Sequence, residues 1–297
     1  MLASSAEQPL TLGDALHAGS RTLAAHTSNP RLEAELLLTH LLERPRTYLH
    51  AHPEQTLAPA ARAAYARLLA RRAAGEPLPY ITGHIEFYGL DFAITPAVLI
   101  PRPETELLVE TALDWLRTHP DAVAADVGVG SGCIAIALAV HTPRLRLHAS
   151  DLSAVALEVA RANAVRHGVI ARITFHQGDL LAPLPQSLDL IVSNPPYVAV
   201  PEWDALPRSV RQEPPLALLA GDDGLNVIRR LLPQARQALR PGGLLLVEIG
   251  EQQAKAAQAL AQAAFRKAAI AVLPDLAGKP RLLMVQSRGP HDESRQQ

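Results

Sequence analysis

The stretch "VAADVGVGSGCIAIALA" (residues 123–139) reads as an apolar strand, a glycine-rich turn and an apolar helix. Gly128, Gly130 and Gly132 permit a tight turn and let the backbone approach a ligand closely, with Val129 and Ser131 between them. The helix start behind them offers unpaired N–H groups. The spacing is G-x-G-x-G. The dinucleotide fingerprint G-x-G-x-x-G needs its last glycine at position 133, where this chain carries Cys133. A plain strand-to-helix turn can look the same, so the surrounding chain has to decide.

Around this loop, strands alternate with helices. Strand-like runs fall at 123–127, 145–150, 172–176, 188–193, 244–249, 269–273 and 281–286, with helical patterns at 131–140, 153–167, 224–239 and 251–267. That alternation predicts an α/β fold: a doubly wound, Rossmann-like, mostly parallel seven-stranded sheet covered on both faces. The link from Pro274 to Pro280 is too short for a crossover, so one of the last two strands is expected to run antiparallel at an edge.

Upstream, residues 11–75 read as helical throughout. Asn29-Pro30 is a helix start, with an N-cap and a proline in the first turn, and a second helix spans roughly 58–74. Arg62, Arg67, Arg71 and Arg72 are expected on its solvated face. The segment "GHIEFYGLDFAITPAVLIPRPETE" (83–106) has short β-like runs, a Tyr88-Gly89 turn signal and three prolines, so it reads as a hairpin linker leading into a helix near Glu104. The expected organisation is a small all-helical domain over 1–75, a β-hairpin linker over 76–103, a larger α/β domain over 104–287 and a disordered tail over 288–297.

Bulk properties narrow the class. The formal net charge of −1 over 297 residues gives no global basic field to draw nucleic acid or anionic lipid. A single cysteine rules out an internal disulfide framework. No basic start precedes an apolar core, and no run of eighteen apolar residues occurs, so a cytoplasmic protein without membrane contact is expected, as a monomer. The twelve histidines show no metal-ligand spacing, and no metal is expected. Cys133 reads as a small buried residue at a helix start. Trp115 and Trp203 read as packing residues, and Glu213-Pro214-Pro215 and Asp222-Asp223 as loop residues at the rim of a site.

Three further strand ends converge on the glycine loop. The second strand ends at Asp151, where a carboxylate can accept both ribose hydroxyls of an adenosine ligand or else cap the next helix. The third ends in "HQGDL", which places Asp179 where it could meet an adenine amine and Leu180 against the ring. The fourth ends in "SNPPYV". Proline holds the residue before it extended and offers no N–H, so Asn194 and Pro195 are both held out of helix. The Asn194 side-chain oxygen and the Pro195 carbonyl are two acceptors suited to one –NH₂ group, and Tyr197 can lay its face on a flat substrate. The turn is thus a cradle for an amide or base nitrogen, aligned for in-line attack on an activated methyl group.

At this point the chain resembles the HemK/PrmC family, the N5-glutamine methyltransferases of class-I peptide chain release factors, within the class I S-adenosylmethionine-dependent methyltransferases. The stretches that carry the resemblance are "GHIEFYGLDF", "LIPRPETELLVE", "DVGVGSGCIAIALA", "SNPPYV", "EPPLALLAGDDGL" and "RPGGLLLVEIGEQQ", in order over about 75–287. The resemblance implies that residues Gly128 to Gly132, Asp151, Leu180 and Asn194 contact S-adenosyl-L-methionine. It implies that Asn194, Pro195, Pro196 and Tyr197 hold the glutamine of a Gly-Gly-Gln motif, and that "PRPETE" packs over the donor side. Val129 departs from the pattern, which carries a hydroxyl residue such as threonine there; a side-chain hydrogen bond to the donor is lost and the backbone cradle stays.

Three other readings compete. An adenine-N6 methyltransferase shares the NPPY chemistry, but usually needs a basic footprint and often has to extrude its base. This chain has neither the charge nor an inserted recognition domain between the NPPY turn and "RPGG". A nicotinamide oxidoreductase is opposed by Cys133 in place of the last glycine and by the NPPY turn. A non-catalytic adaptor is opposed by the presence of every expected contact group. The expected protein is a cytoplasmic enzyme that transfers methyl to a release factor glutamine, with the helical domain docking the release factor and no nucleic acid bound directly.

Overall fold

The computed structural model describes residues 10–288, so all but the first residue of the expected tail lies outside the described residues. The described chain divides into two compact units, one helical and one α/β.

The helical unit takes in the chain to Gly83 together with Arg208–Gln212. Helix α1 (Leu12–Leu23) opens with a capping box: the Thr11 hydroxyl accepts from the Asp14 amide, and the Asp14 carboxylate accepts from the Thr11 amide. Its buried face, Leu12, Leu16 and Leu23, meets Leu37 and Leu38 of α2 (Pro30–Leu42), Leu49 of α3 (Arg46–Ala51) and Tyr65 and Leu69 of α4 (Pro59–Ala73). The helical run continues through α5 (Leu78–Thr82), whose Ile81 joins the same core.

Two local expectations change here. Pro30 starts α2, but the Asn29 side chain does not cap it and bonds instead to the Ser28 hydroxyl, so the fixed φ of proline sets the start. Arg72 is not on a solvated face. It is 9% exposed, with Nε 2.5 Å from Glu33 Oε2, because the side of α4 that faces α2 meets that carboxylate.

The α/β unit begins with a hairpin, β1 (His84–Phe87) and β2 (Leu90–Ala93), turned at Tyr88 and Gly89. A 3₁₀ turn, Pro103–Thr105, then leads into α6 (Glu106–Leu116). The sheet strands are β3 (Val123–Val127), β4 (Arg146–Asp151), β5 (Ile173–Gln177), β6 (Leu188–Ser193), β7 (Leu239–Glu248), β8 (Ala269–Pro274) and β9 (Pro280–Gln286). Helices α7 (Cys133–His141), α8 (Ala154–Arg166), a short α9 (Pro215–Leu218), α10 (Asn226–Ala238) and α11 (Ala254–Ala264) complete it.

The strand order is β5-β4-β3-β6-β7-β9-β8. Strands β3 to β7 pair in parallel. The order reverses between β3 and β4 on one side and β6 on the other, which opens a crevice at the C-terminal strand ends. The sheet is the expected doubly wound one.

The antiparallel strand is not at an edge. β9 runs antiparallel to both β7 and β8 and sits between them, leaving β8 outermost. Apolar burial explains the order. Leu282, Leu283 and Val285 of β9 are at most 1% exposed, whereas no residue of β8 is fully buried.

Candidate active site

The glycine loop sits at the end of β3. Gly128 and Val129 both donate to the Ser150 carbonyl, at 2.8 and 3.0 Å, which ties the loop to the end of β4. Gly132, at φ +85°, is the residue just before α7, and a Cβ there would lie 2.8 Å from Ile136 Cδ1 and 3.2 Å from Ala160 Cβ. Only glycine combines that backbone with that proximity. Cys133 is the first residue of α7, and burial pushes its thiol up to about 12. Val129 is 4% exposed and is among the residues that line the cavity.

Asp151 ends β4 and performs a positioning role of its own. Its Oδ2 accepts from the Gly130 amide at 2.9 Å, and its Oδ1 accepts from the Ser153 amide at 2.8 Å. Ser153, not Asp151, caps α8, accepting from the Ala156 amide. Each carboxylate oxygen keeps a free lone pair for a ligand.

After β5, Gly178, Asp179 and Leu180 reach the same cavity. Asp179 is ion-paired with Arg230 of α10, which also lines it. Leu180 holds a left-handed φ of 51°, and its carbonyl accepts from the Ser150 hydroxyl at 2.7 Å.

The NPPY turn follows β6. Asn194 and Pro196 line the cavity that Gly128, Gly130, Asp151 and Leu180 also line, of about 430 Å³. Pro195 is buried. Neither Pro195 nor Tyr197 is among the lining residues. The Tyr197 carbonyl accepts from Gln253 Nε2 at 2.9 Å, its ring lies by Gly250, and burial raises its phenol to about 12. Asn194 Nδ2 donates to Thr105 Oγ1 at 3.0 Å, while Asn194 Oδ1 is buried without a hydrogen-bond partner. Thr105 Oγ1 in turn donates to Glu248 Oε2 at 2.7 Å.

Several supporting residues escaped the sequence reading. Asp126, fully buried on β3, accepts from the Ala135 amide at 3.0 Å; desolvation pushes its carboxyl up to about 7, and its Oδ1 has no partner. Glu248, 1% exposed on β7, is raised by desolvation to about 7 in spite of the Thr105 hydrogen bond. Asn163 of α8 donates to the Ser131 carbonyl at 2.9 Å and the Ala93 carbonyl at 3.0 Å, binding the loop to β2. Glu213 is not a rim residue. It is 2% exposed and pairs with Arg102. Glu106 accepts from the Tyr88 amide at 2.9 Å, which anchors the hairpin turn. Among the described residues no cluster of His, Cys, Asp and Glu could hold a metal.

These residues suit an adenosine-bearing methyl donor. A Cβ added at Gly128 or Gly130 would meet nothing within 4 Å beyond the adjoining residues, so both open onto free space, and a carboxylate bonds to the loop. Asn194, whose side-chain oxygen is buried without a donor, lines the same cavity.

Comparison with known proteins agrees. The PrmC N-terminal domain model matches residues 14–83, and the methyltransferase small domain model matches residues 103–206. The release factor glutamine methyltransferase of Moorella thermoacetica is 48% identical over 281 residues, covering 94% of this chain and 99% of that protein. The Bordetella pertussis enzyme of the same name is 45% identical, covering 88% of this chain and 97% of its own. A crystal structure of the hMettl16 catalytic domain, in complex with MAT2A 3′UTR hairpin 6, shares the fold with TM-score 0.53 at 19% identity, covering 74% of this chain and 81% of that one. With near-complete coverage of relatives at this identity, the chain belongs to the release factor glutamine methyltransferase family.

Proposed function

We propose that this protein methylates the side-chain amide nitrogen (N5) of the glutamine in the Gly-Gly-Gln motif of class-I peptide chain release factors. The observation that carries the reading is the buried, unpartnered Oδ1 of Asn194, in a turn that shares one cavity with the glycine loop and Asp151. The loop from Gly128 to Gly132, Asp151, Asp179 and Leu180 hold the donor, S-adenosyl-L-methionine. When bound, that donor supplies an electrophilic methyl group.

The acceptor is the harder partner. An amide nitrogen is a poor nucleophile because its lone pair is delocalised into the carbonyl. Asn194 Oδ1 accepts an N–H of the glutamine, fixes the nitrogen's direction and favours it as positive charge develops there, while the buried Pro195 holds Asn194 extended. Asn194 does not titrate, so it holds the proton-bearing nitrogen without removing a proton. Pro196 and Tyr197 keep the turn rigid, the latter through the Gln253 hydrogen bond to its carbonyl. The helical unit docks the release factor. The protein acts as a cytoplasmic monomer without direct nucleic-acid contact, and no helix among the described residues is long and apolar enough to cross a membrane.

Peptide mass analysis of a release factor, before and after incubation with enzyme and donor, tests the reading. One added methyl on the Gly-Gly-Gln glutamine is expected. Methyl label entering an oligonucleotide and leaving the release factor unlabelled would overturn it in favour of a base methyltransferase.

A further inference from the structure

An asparagine amide has two ends of similar shape and opposite hydrogen-bonding character, and only the oxygen end can accept from an –NH₂ group. Something must choose between them. Asn194, Thr105 and Glu248 lie 89 and 143 residues apart in pairwise order along the chain, yet form one hydrogen-bonded line.

The direction of that line follows from the donor inventory. An ionised carboxylate only accepts, and a hydroxyl has one proton to give. Thr105 Oγ1 gives its proton to Glu248 Oε2, so toward Asn194 it can only accept. The Nδ2 end of Asn194 therefore faces Thr105, and Oδ1 is turned away from it. We propose that Thr105 and Glu248 are positioning residues that select which end of the Asn194 amide is presented to the substrate nitrogen. This rests on the reading of Asn194 as the acceptor of the glutamine –NH₂. With the line reversed, an –NH₂ group of the enzyme would face an –NH₂ group of the substrate.

The selection depends on Glu248 remaining an acceptor. A protonated Glu248 can donate to Thr105, which frees the hydroxyl proton for Asn194 and removes the preference. The charged and titratable groups that act electrostatically with Glu248 include Arg281 of β9, Arg102 before the 3₁₀ turn and Glu104 within it, Tyr197 of the NPPY turn and Cys133 of α7. Arg281 is itself paired with Asp275, and Arg102 with Glu213, so neither closes a salt bridge on Glu248. The remaining Glu248 oxygen, Oε1, is buried and unpartnered. Two stretches, "PRPETE" and "VEIGEQQ", thus each give one residue to the same device.

Thr105→Val, Thr105→Ser and Glu248→Gln test this, with two readouts. In methylation of whole release factor, T105V is expected to lower kcat on the order of 10²-fold by misdirecting the acceptor. The donor KM is expected to change by no more than about twofold, and T105S to recover most of the rate. The second readout needs no turnover: the side-chain amide of Asn194 in ¹⁵N-labelled protein, identified by its loss in Asn194→Ala. In the wild type one of its protons should exchange slowly, with a shift that follows the titration of Glu248. T105V should abolish both behaviours, T105S should keep both, and E248Q, which carries a donor at every pH, should abolish the titration and hold the signal at its low-pH limit. T105V with wild-type kcat, or an Asn194 signal unchanged in T105V or still titrating in E248Q, overturns the proposal. If T105V does not fold, T105S and E248Q decide through the same signal. A wild type that leaves release factor unmethylated but shows the protected, titrating amide removes the substrate assignment and keeps the relay.

Discussion

Glu213 Oε2 accepts from the Ile100 amide at 3.0 Å, across 113 residues of chain. The other oxygen of the same carboxylate pairs with Arg102. One buried side chain therefore ties the segment around Pro101 to the segment around Pro214, and both segments line the cavity.

Glu213→Ala removes that tie and leaves a backbone N–H and a guanidinium without partners. A loss of about 2 kcal/mol of unfolding free energy is expected, since hydrogen bonds to charged groups are worth roughly 1.5–3 kcal/mol. The donor KM should rise together with this loss, because one cavity wall is released. Denaturant unfolding and calorimetric titration of the donor check the pair. Unchanged values in both would show that the tie has no consequence.

Asn194→Ala removes the acceptor and leaves the turn's prolines in place. A loss of about 10²–10³-fold in single-turnover rate is expected, the scale for deleting one preorganised polar group at a reacting centre. Circular dichroism should match the wild type. Transfer near the wild-type rate in a rapid-quench experiment would refute the role assigned to this side chain.

Gly130→Ala and Gly132→Ala separate ligand space from packing. Both positions have positive φ, so each alanine carries strain of about 1–2 kcal/mol. At Gly132 the added methyl also meets Ile136 and Ala160, with overpacking of about 1–3 kcal/mol more. At Gly130 no atom lies within 4 Å of the new carbon, and the residue lines the cavity. G132A is therefore expected to lower the melting temperature more, and G130A to weaken donor binding more. Thermal melts and donor titration of both variants check the order.

Asp126 and Glu248 make stability fall as pH rises. Desolvation raises both carboxyls to about 7, from the ordinary 3.8 of an aspartate and 4.5 of a glutamate. A folded-state value above the unfolded one contributes stability that is complete below the unfolded value and is lost as pH rises through the folded value. The window runs from about pH 4 to about pH 7 for both groups. Asp126→Asn and Glu248→Gln cannot ionise, so the melting temperature of each variant, relative to the wild type, should climb from pH 5 to pH 8. A flat difference across that range would show that these carboxyls do not titrate in it.

The parts of this molecule that repeat locally were legible in the sequence. Strand β3, the glycine turn and α7 follow from apolar runs broken by Gly128, Gly130 and Gly132, and Asp151 and Asn194 follow from strand ends near a reversal in strand order. What escaped depends on neighbours far away in sequence. Glu213 looks like a loop residue until Ile100 and Arg102 are seen against it. Glu248 looks like the end of an apolar strand until Thr105 supplies its hydrogen bond. Arg72 looks solvated until α2 brings Glu33 to it. Strand β9 was placed by the length of its link, which fixes its direction but not its neighbours. Burial of Leu282, Leu283 and Val285 put it inside the sheet.

That inner berth makes the last strand of the chain a neighbour of the residues behind the reacting centre. In the finished sheet Glu248 of β7 stands opposite Leu282 of β9. With Leu282 at 1% exposure against it, β9 helps to keep water from Glu248, itself 1% exposed. Loosening β9 from β7 is therefore expected to disturb the acceptor end while the nucleoside crevice, built on β3, β4 and β5, stays formed.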